Sequence, residues 1–418
     1  MHGHLPAPRS QRERDFTSQT LGSAGDENGA RMWSDGHWRT IGVVNTSIDS
    51  SSLTTALREH IVEAIRAAGG WLGFERFMEL ALYTPGLGYY ANGVPKFGTM
   101  PQSGSDFVTA PELSPLYGKV LAAQIAEVFE ETGVDEIWEF GAGTGALAKQ
   151  ILQALGPKVK RYTIVDLSGS LRARQQQTLE SFGDQVAWAE QLPETINGVI
   201  VGNEVLDAMP VQLIHRQGGE EDGIWSERGV IVADDGSFAW EDRLTDARPP
   251  IDILGPQDYL TELQPQGEAF MRTIAERLKR GAAIFIDYGF PEGEYFHQQR
   301  HMGTLVCHRA HQVDFDPLVD VGLKDITAHV NFTGMALAAQ DAGLEVLGYT
   351  NQAHFLLNCG IATEMEKSPQ KERSQAAKLV MEHEMGELFK VLMLGAGETW
   401  IPMGFARGDR THRVVCLA

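Results

Sequence analysis

The sequence predicts an α/β fold: a doubly wound sheet with a helical segment on its N-terminal side and antiparallel hairpins inserted into it. Three observations carry this. Strand-like and helix-like runs alternate from residue 136 to residue 289, a glycine-rich turn follows the first strand, and a period-two stretch interrupts the alternation between Val211 and Asp242. Parallel neighbours need a crossover between them, so strands alternating with helices imply a parallel sheet.

Residues 1–50 carry Arg9, Arg12, Arg14, Arg31 and Arg39, but Glu13, Asp15, Asp26 and Glu27 break the acid-poor pattern of a transit peptide. They read as a disordered extension. Residues 51–115 hold N-terminal helices and an active-site loop. Leu53, Leu57, Ile61 and Ile65 recur every four residues, Gly69 and Gly70 stop that helix, and a second helix runs from about Phe74 to Tyr83. The Gly-, Pro- and Ser-rich run from Thr84 to Pro115 has aromatics interleaved, which marks an ordered loop of the functional kind.

Residues 116–210 form the sheet core: EIWEF, RYTIVDL, VAWAE and NGVIVGNEV read as strands, GALAKQILQALG and SLRARQQQTLESFG as helices. Residues 211–265 read as a hairpin insertion for substrate recognition. Its part from 217 to 248 holds nine Asp or Glu against three Arg. Residues 266–418 complete the core, with FMRTIAERLKRG as helix, AAIFIDYG as strand, a Lys- and Glu-rich helical stretch after Glu364 that runs through GELFKVL, and a terminal THRVVCLA strand.

The formal charge of −21 excludes a surface that condenses on nucleic acid or anionic lipid. A solubilising surface or a basic protein partner suits it. Three widely separated cysteines, Cys307, Cys359 and Cys416, make neither a disulfide framework nor a paired metal site, which places the chain in a reducing compartment. No run approaches the ~20 apolar residues of a membrane span. A cytoplasmic protein is expected, mitochondrial if the source is eukaryotic; a homodimer is left open.

The glycine-rich turn is EFGAGTG. Gly141, Gly143 and Gly145 stand at a strand-to-helix junction, where the backbone approaches a ligand closely. Their GxGxG spacing differs from the GxGxxG of dinucleotide binders. With Glu139 at its head the turn resembles motif I of class I methyltransferases, in which the acid helps hold the methionine portion of the donor and the glycines lie under its sugar. A pyrophosphate site or a plain tight turn remains the alternative. Asp166 ends the second strand, 21 residues after Gly145, where a carboxylate accepts from ribose hydroxyls or caps the next helix.

GNEVLDAMPV brings Asn203, Glu204 and Asp207 to a carboxyl end of the sheet. Paired carboxylates suit a guanidinium, which is planar and always charged, so Glu204 and Asp207 are the catalytic candidates. The alternative is a turn in which Asp207 caps a helix and Glu204 is solvated. GSDFVTAPE and FIDYG add Asp106, Thr109, Glu112, Asp287 and Tyr288 to the same face, with Thr109 and Asn203 assigned to the donor. His308 and His311, three apart in CHRAH, could be ligands on paper but read as exposed loop histidines, and His329 in DITAHVNF has no second His at helical spacing and reads as a buried, hydrogen-bonded one; no metal is expected.

Seven blocks together, YTPGLGYY, GSDFVTAPELSPLYG, EFGAGTGALA, NEVLDAMPV, IDYG, DITAHVNF and MGELFKVLMLG, resemble the MidA-type methyltransferases, relatives of the mitochondrial complex I assembly factor that methylates an arginine. The likeness runs from about Leu53 to the C-terminus. It implies a Rossmann-like core, which makes 116–210 the donor-binding part, S-adenosyl-L-methionine as donor, and symmetric dimethylation of an arginine in a partner protein. Asp166 stands where the family pattern expects glutamate. Two other readings stay open: a non-catalytic assembly factor that keeps a donor pocket, and an NAD-dependent oxidoreductase.

Overall fold

The computed structural model describes residues 31–34, 37–40, 50–92, 108–166, 169–218, 223–309, 312–397 and 399–415. Residues 1–30, Asp106, 219–222, His311 and Cys416, on which several expectations fall, lie outside them. Within the N-terminal 50 residues, β1 (Arg31–Ser34) and β2 (His37–Thr40) pair as an antiparallel ribbon, which a wholly disordered extension does not include.

Helix α1 (Ser50–Ala67) buries Leu53, Leu57, Ile61 and Ile65, the four-residue stripe of the sequence. Strand β3 (Leu72–Gly73) leads into α2 (Phe74–Tyr83), and α3 (Ala110–Leu113) into α4 (Leu116–Thr132), which Gly133 ends in a left-handed conformation. Then come β4 (Glu136–Phe140), α5 (Ala146–Leu155), β5 (Arg161–Val165), α6 (Gly169–Leu179), β6 (Val186–Ala189) and β7 (Ile196–Asn203). The period-two stretch forms β8 (Gln212–Arg216), β9 (Trp225–Val232), β10 (Phe238–Leu244) and β11 (Tyr259–Leu263). Helix α7 (Pro265–Arg277) returns the chain to the core as β12 (Leu278–Phe290). After α8 (Glu292–Tyr295), β13 (Val306–Arg309), β14 (Gln312–Asp314) and β15 (Asp325–Thr327) make a small sheet. The chain closes with β16 (Val330–Asn331), α9 (Phe332–Asp341), β17 (Glu345–Asn351), α10 (Gln352–Asn358), α11 (Ile361–Lys367), α12 (Gln370–Val380) and β18 (Phe389–Ala396).

The main sheet has the order β17-β18-β12-β7-β4-β5-β6. Apart from β18, its strands run parallel; β18 pairs antiparallel with both β12 and β17. Helices cover both faces, with Tyr117, Val120, Ile151 and Phe355 in one core and Met271, Ile274, Phe332 and Met335 in the other. The second antiparallel sheet, β10-β9-β8-β11 with β3 on β9, shares a core with α1, α2 and β15 through Leu57, Phe74, Phe77, Leu213, Val230 and Ile326. The N-terminal helices therefore pack on the insertion as one layer.

Two further expectations need correction. The charged helical stretch ends in a π-helical turn (Glu382–Gly386) after α12, and FKVLMLGA is a strand with all eight residues buried. Its apolar run is as compatible with a buried strand as with a helix, and only pairing to β12 and β17 decides. That strand also makes the sheet mixed, while the strands that the alternation marked, β4, β5, β6, β7 and β12, run parallel as expected. At the C-terminus, Thr411–Arg413 is a short 3-10 turn whose Thr411 hydroxyl accepts from the Tyr349 N–H of the edge strand β17, and no strand forms among the described residues there.

Leu392 is fully buried on β18 while Leu388, just before it, is 42% exposed. Leu392→Ala should cost about 2–5 kcal/mol and Leu388→Ala less than about 1. Urea unfolding at constant slope checks this; equal costs would contradict the strand register.

Candidate active site

Strand β4 has β5 on one side and β7 on the other, so the strand order reverses between β4 and β7, and a crevice opens at their carboxyl ends. A cavity of about 660 Å³ fills it, within the usual range for small-molecule sites. Its floor is the turn after β4. Gly141, Gly143 and Gly145 have φ of 61°, 52° and 81°, a left-handed geometry at every second residue that side chains resist. The turn is closed by Gly141 N–H on the Val165 carbonyl at 3.1 Å and Gly145 N–H on the Ala142 carbonyl at 2.8 Å. Gly141 and Gly143 line the cavity. Gly145 lies behind them at the start of α5, facing Gln175 and Leu179.

Gln175 ties this floor together. Fully buried, its amide nitrogen donates to the Gly143 carbonyl at 3.0 Å and to Asp166 Oδ2 at 2.8 Å, while its oxygen accepts from Trp188 Nε1 at 2.9 Å. The carboxylate at the end of β5 is thereby set against the glycine turn. Glu139 is 2% exposed and accepts from the Tyr162 hydroxyl at 2.9 Å. Burial, with Asp166 nearby, pushes its pKa up to about 8.

Beyond β7 the chain leaves the sheet. Glu204 N–H still donates to the Ile286 carbonyl of β12 at 2.8 Å, but Glu204 itself is left-handed, with φ 54°. Asp320 is the other non-glycine residue with positive φ among the described residues. The next three N–H groups, of Val205, Leu206 and Asp207, all point at Asp287 Oδ2, at 3.1, 2.9 and 3.2 Å. Asn203 Nδ2 donates to Glu204 Oε1 at 3.0 Å, and the Tyr117 hydroxyl holds Asn203. Burial and then Asp207 push Glu204 up to about 8; burial pushes Asp207 up to about 6 against a hydrogen bond from Tyr288.

Of the nine candidate residues, eight line this one cavity: Thr109, Glu139, Gly141, Gly143, Asp166, Asn203, Glu204 and Asp207. Gly145 does not. Asp207 is 5% exposed and caps no helix, and Glu204 lines the cavity, so the solvated-turn alternative does not describe them. Glu112 accepts from Thr144 and so ties α3 to the glycine turn. His329 is packed against Tyr288 and Phe290, and burial, with Arg300 and Lys390 adding, holds its pKa down to about 4. His308 lines the cavity. The sequence reading missed Gln175, which sits inside the polar run RQQQT, and Tyr90 and Asp325, which meet across 235 residues.

A family model of S-adenosyl-L-methionine-dependent methyltransferases matches residues 120–350, more than half of the chain. The chain belongs to this methyltransferase family. A Burkholderia thailandensis protein whose crystal structure is bound to S-adenosyl-homocysteine is 44% identical, with a TM-score of 0.83 and coverage of 89% of this chain and 100% of that one. A second structure from that organism is 43% identical, with a TM-score of 0.80 and the same coverage. At lower identity, the mitochondrial protein arginine methyltransferase NDUFAF7 homolog of Caenorhabditis elegans is 25% identical over 372 residues, covering 80% of this chain and 84% of that protein. The NDUFAF7 of Danio rerio is 26% identical over 357 residues, covering 77% and 80%. No helix among the described residues is long and apolar enough to cross a membrane.

The methyltransferase uses S-adenosyl-L-methionine, and the chemistry of the cavity fits such a molecule: the glycine turn leaves backbone exposed to a ligand, and the Asp166 carboxylate at the next strand end offers acceptors for hydroxyl groups. Gln175→Leu should weaken donor binding roughly tenfold, since it removes two hydrogen bonds that shape the floor. Calorimetric titration with S-adenosyl-L-methionine checks it, and unchanged affinity would leave Gln175 no part in the site. A second expectation concerns pH. Folded Glu204 holds its proton up to about 8 against a usual 4.5, so between those values the folded state binds more protons than the unfolded chain and stability falls as pH rises. Glu204→Gln should flatten this slope in unfolding measured from pH 5 to 8; a slope as steep as the parent's would refute the assignment.

Proposed function

We propose that the methyltransferase methylates an arginine of a partner protein, ending in symmetric dimethylation. One observation carries this reading: the charge of the cavity. Glu79, Glu112, Glu139, Asp166, Glu204, Asp207 and Asp325 line it, while the arginine among its described lining residues, Arg76, is paired with Glu79 at 2.6 Å. Carboxylates gathered this closely in a cavity repel one another, and a cation offsets that repulsion, so such a site suits a cationic acceptor better than a neutral hydroxyl. The names of the relatives at 25% and 26% identity, protein arginine methyltransferases, support the same acceptor. Those names also place the relatives in mitochondria, in keeping with the expectation for a eukaryotic source. Family membership sets the nicotinamide alternative aside.

In this reading Glu139, Gly141, Gly143, Gly145, Asp166, Asn203 and Thr109 serve the donor, Gly145 by supporting the turn from behind. Bound S-adenosyl-L-methionine supplies an electrophilic methyl carbon, whose bond to sulfur breaks, with the electron pair leaving on sulfur, as the bond to nitrogen forms. Asp207 and Glu204 orient the guanidinium so that one nitrogen faces that carbon. A guanidinium nitrogen must lose a proton as it is alkylated, and Glu204 takes it: its raised pKa matches a base that works near neutral pH. The left-handed backbone at Glu204 aims its side chain into the cavity, a strain of the kind kept where geometry matters.

Glu204→Gln should lower transfer to an arginine-rich protein pool by roughly a hundredfold or more, with donor affinity spared. In the parent, the rate at limiting donor and acceptor, which reports the free enzyme, should rise with pH and level off above about 8. Radiolabelled methyl transfer followed by amino-acid analysis reads both. Label on another residue type would remove the arginine reading, and a flat profile would remove Glu204 as the base.

A further inference from the structure

A second wall of the cavity is built by α2, the turn after it and β15, far from the glycine floor in sequence. Asp325 opens β15 and is 2% exposed. Its two carboxylate oxygens lie 2.8 and 2.9 Å from the Tyr90 hydroxyl, and Oδ1 also accepts from the Ile326 N–H at 2.9 Å. The plane of the carboxylate is therefore held. Tyr90 in turn stacks on Tyr83, with ring centroids 5.6 Å and planes 21° apart.

This wall is bonded directly to the loop that carries Asp207. The Tyr83 hydroxyl donates to the Ala208 carbonyl at 2.8 Å, and Ala328 N–H donates to the Asp207 carbonyl at 3.0 Å. The chain after β15 and the loop of Asp207 are thus tied together by one backbone bond and one tyrosine hydroxyl. Asp325, Asp207, Tyr83 and Tyr90 all line the same cavity.

We propose that Asp325, positioned by Tyr90, is the second carboxylate of a clamp whose first is Asp207, and that the clamp selects a planar guanidinium over an ammonium ion. This rests on the arginine reading above and adds the groups that set the specificity. A guanidinium carries five N–H donors in a rigid plane, so two fixed carboxylates can each take an edge while a third nitrogen stays exposed to the donor. The stacked tyrosines give that plane a flat neighbour with a negative face. An ammonium is a compact point charge. It meets one carboxylate at a time and has no second edge to offer the other, which is the condition that disfavours it.

The test uses the full chain saturated with S-adenosyl-homocysteine, titrated with arginine amide and with lysine amide. Arginine amide should bind at least about tenfold tighter than lysine amide. In Asp325→Asn its affinity should fall about ten- to a hundredfold and the preference vanish, with S-adenosyl-homocysteine affinity kept within about twofold. Tyr90→Phe keeps the ring and removes the bond that fixes Asp325, so it should give a smaller loss in the same direction, and it serves if Asp325→Asn does not fold. Arginine amide binding that is unchanged in these variants would overturn the clamp and leave the arginine reading standing. Binding of S-adenosyl-homocysteine with neither amide, and no arginine methylated, would overturn both.

Discussion

The site depends on a carboxylate that does not line the cavity. Asp287 is fully buried near the end of β12, where the ladder between β7 and β12 stops. Glu204 N–H makes the last bond to that strand, and the three N–H groups after it would be orphaned as the chain bends away. Asp287 collects all three on one oxygen and the Tyr288 N–H on the other, at 2.9 Å. Burial, then Asp207 and Glu204, push its pKa up, and the N–H bonds oppose them. The bend this anchor permits puts Glu204 in its left-handed conformation and Asp207 beside it. Removing Asp287 would free the loop that carries both.

Much of the site is legible in the sequence because backbone geometry left marks there. Three glycines at alternate positions record three left-handed residues, and the four-residue stripe from Leu53 to Ile65 records a buried helix face. What stays hidden depends on tertiary partners. FKVLMLGA is uniformly apolar, so no period distinguishes strand from helix before its neighbours are known. Gln175 looks like one of three solvated glutamines, yet it alone faces inward, on a helix of slight amphipathic character. Tyr90 and Asp325 sit in blocks that the family resemblance had marked, but their partnership exists only once the small β13–β15 sheet is folded onto α2.

The acidic character of the chain divides into two kinds. In the insertion, Asp242 accepts from Arg228 at 2.8 and 2.9 Å and lies 3.0 Å from His215, which holds its carboxyl well below the usual range, and Asp235 caps its own turn through Ser237. These charges are neutralised or solvated where they stand. The cavity carboxylates are different, because burial raises Glu139, Glu204 and Asp207 together. A formal net charge of −21 counts both kinds alike and gives no hint of this inner group.

A cavity of that kind is matched to the charge change of the reaction. Before transfer it must hold a sulfonium and, on the arginine reading, a guanidinium, two cations beside carboxylates that are otherwise held neutral by burial. After transfer the sulfur is uncharged and one proton has gone to a carboxylate, so a single cation remains. Interactions that weaken along the reaction favour release of both products rather than their accumulation. Binding of the first cation would lower the pKa of Glu204 and leave it ionised for the second. On this account the carboxylates that destabilise the empty fold at neutral pH are the groups that couple donor binding to acceptor binding.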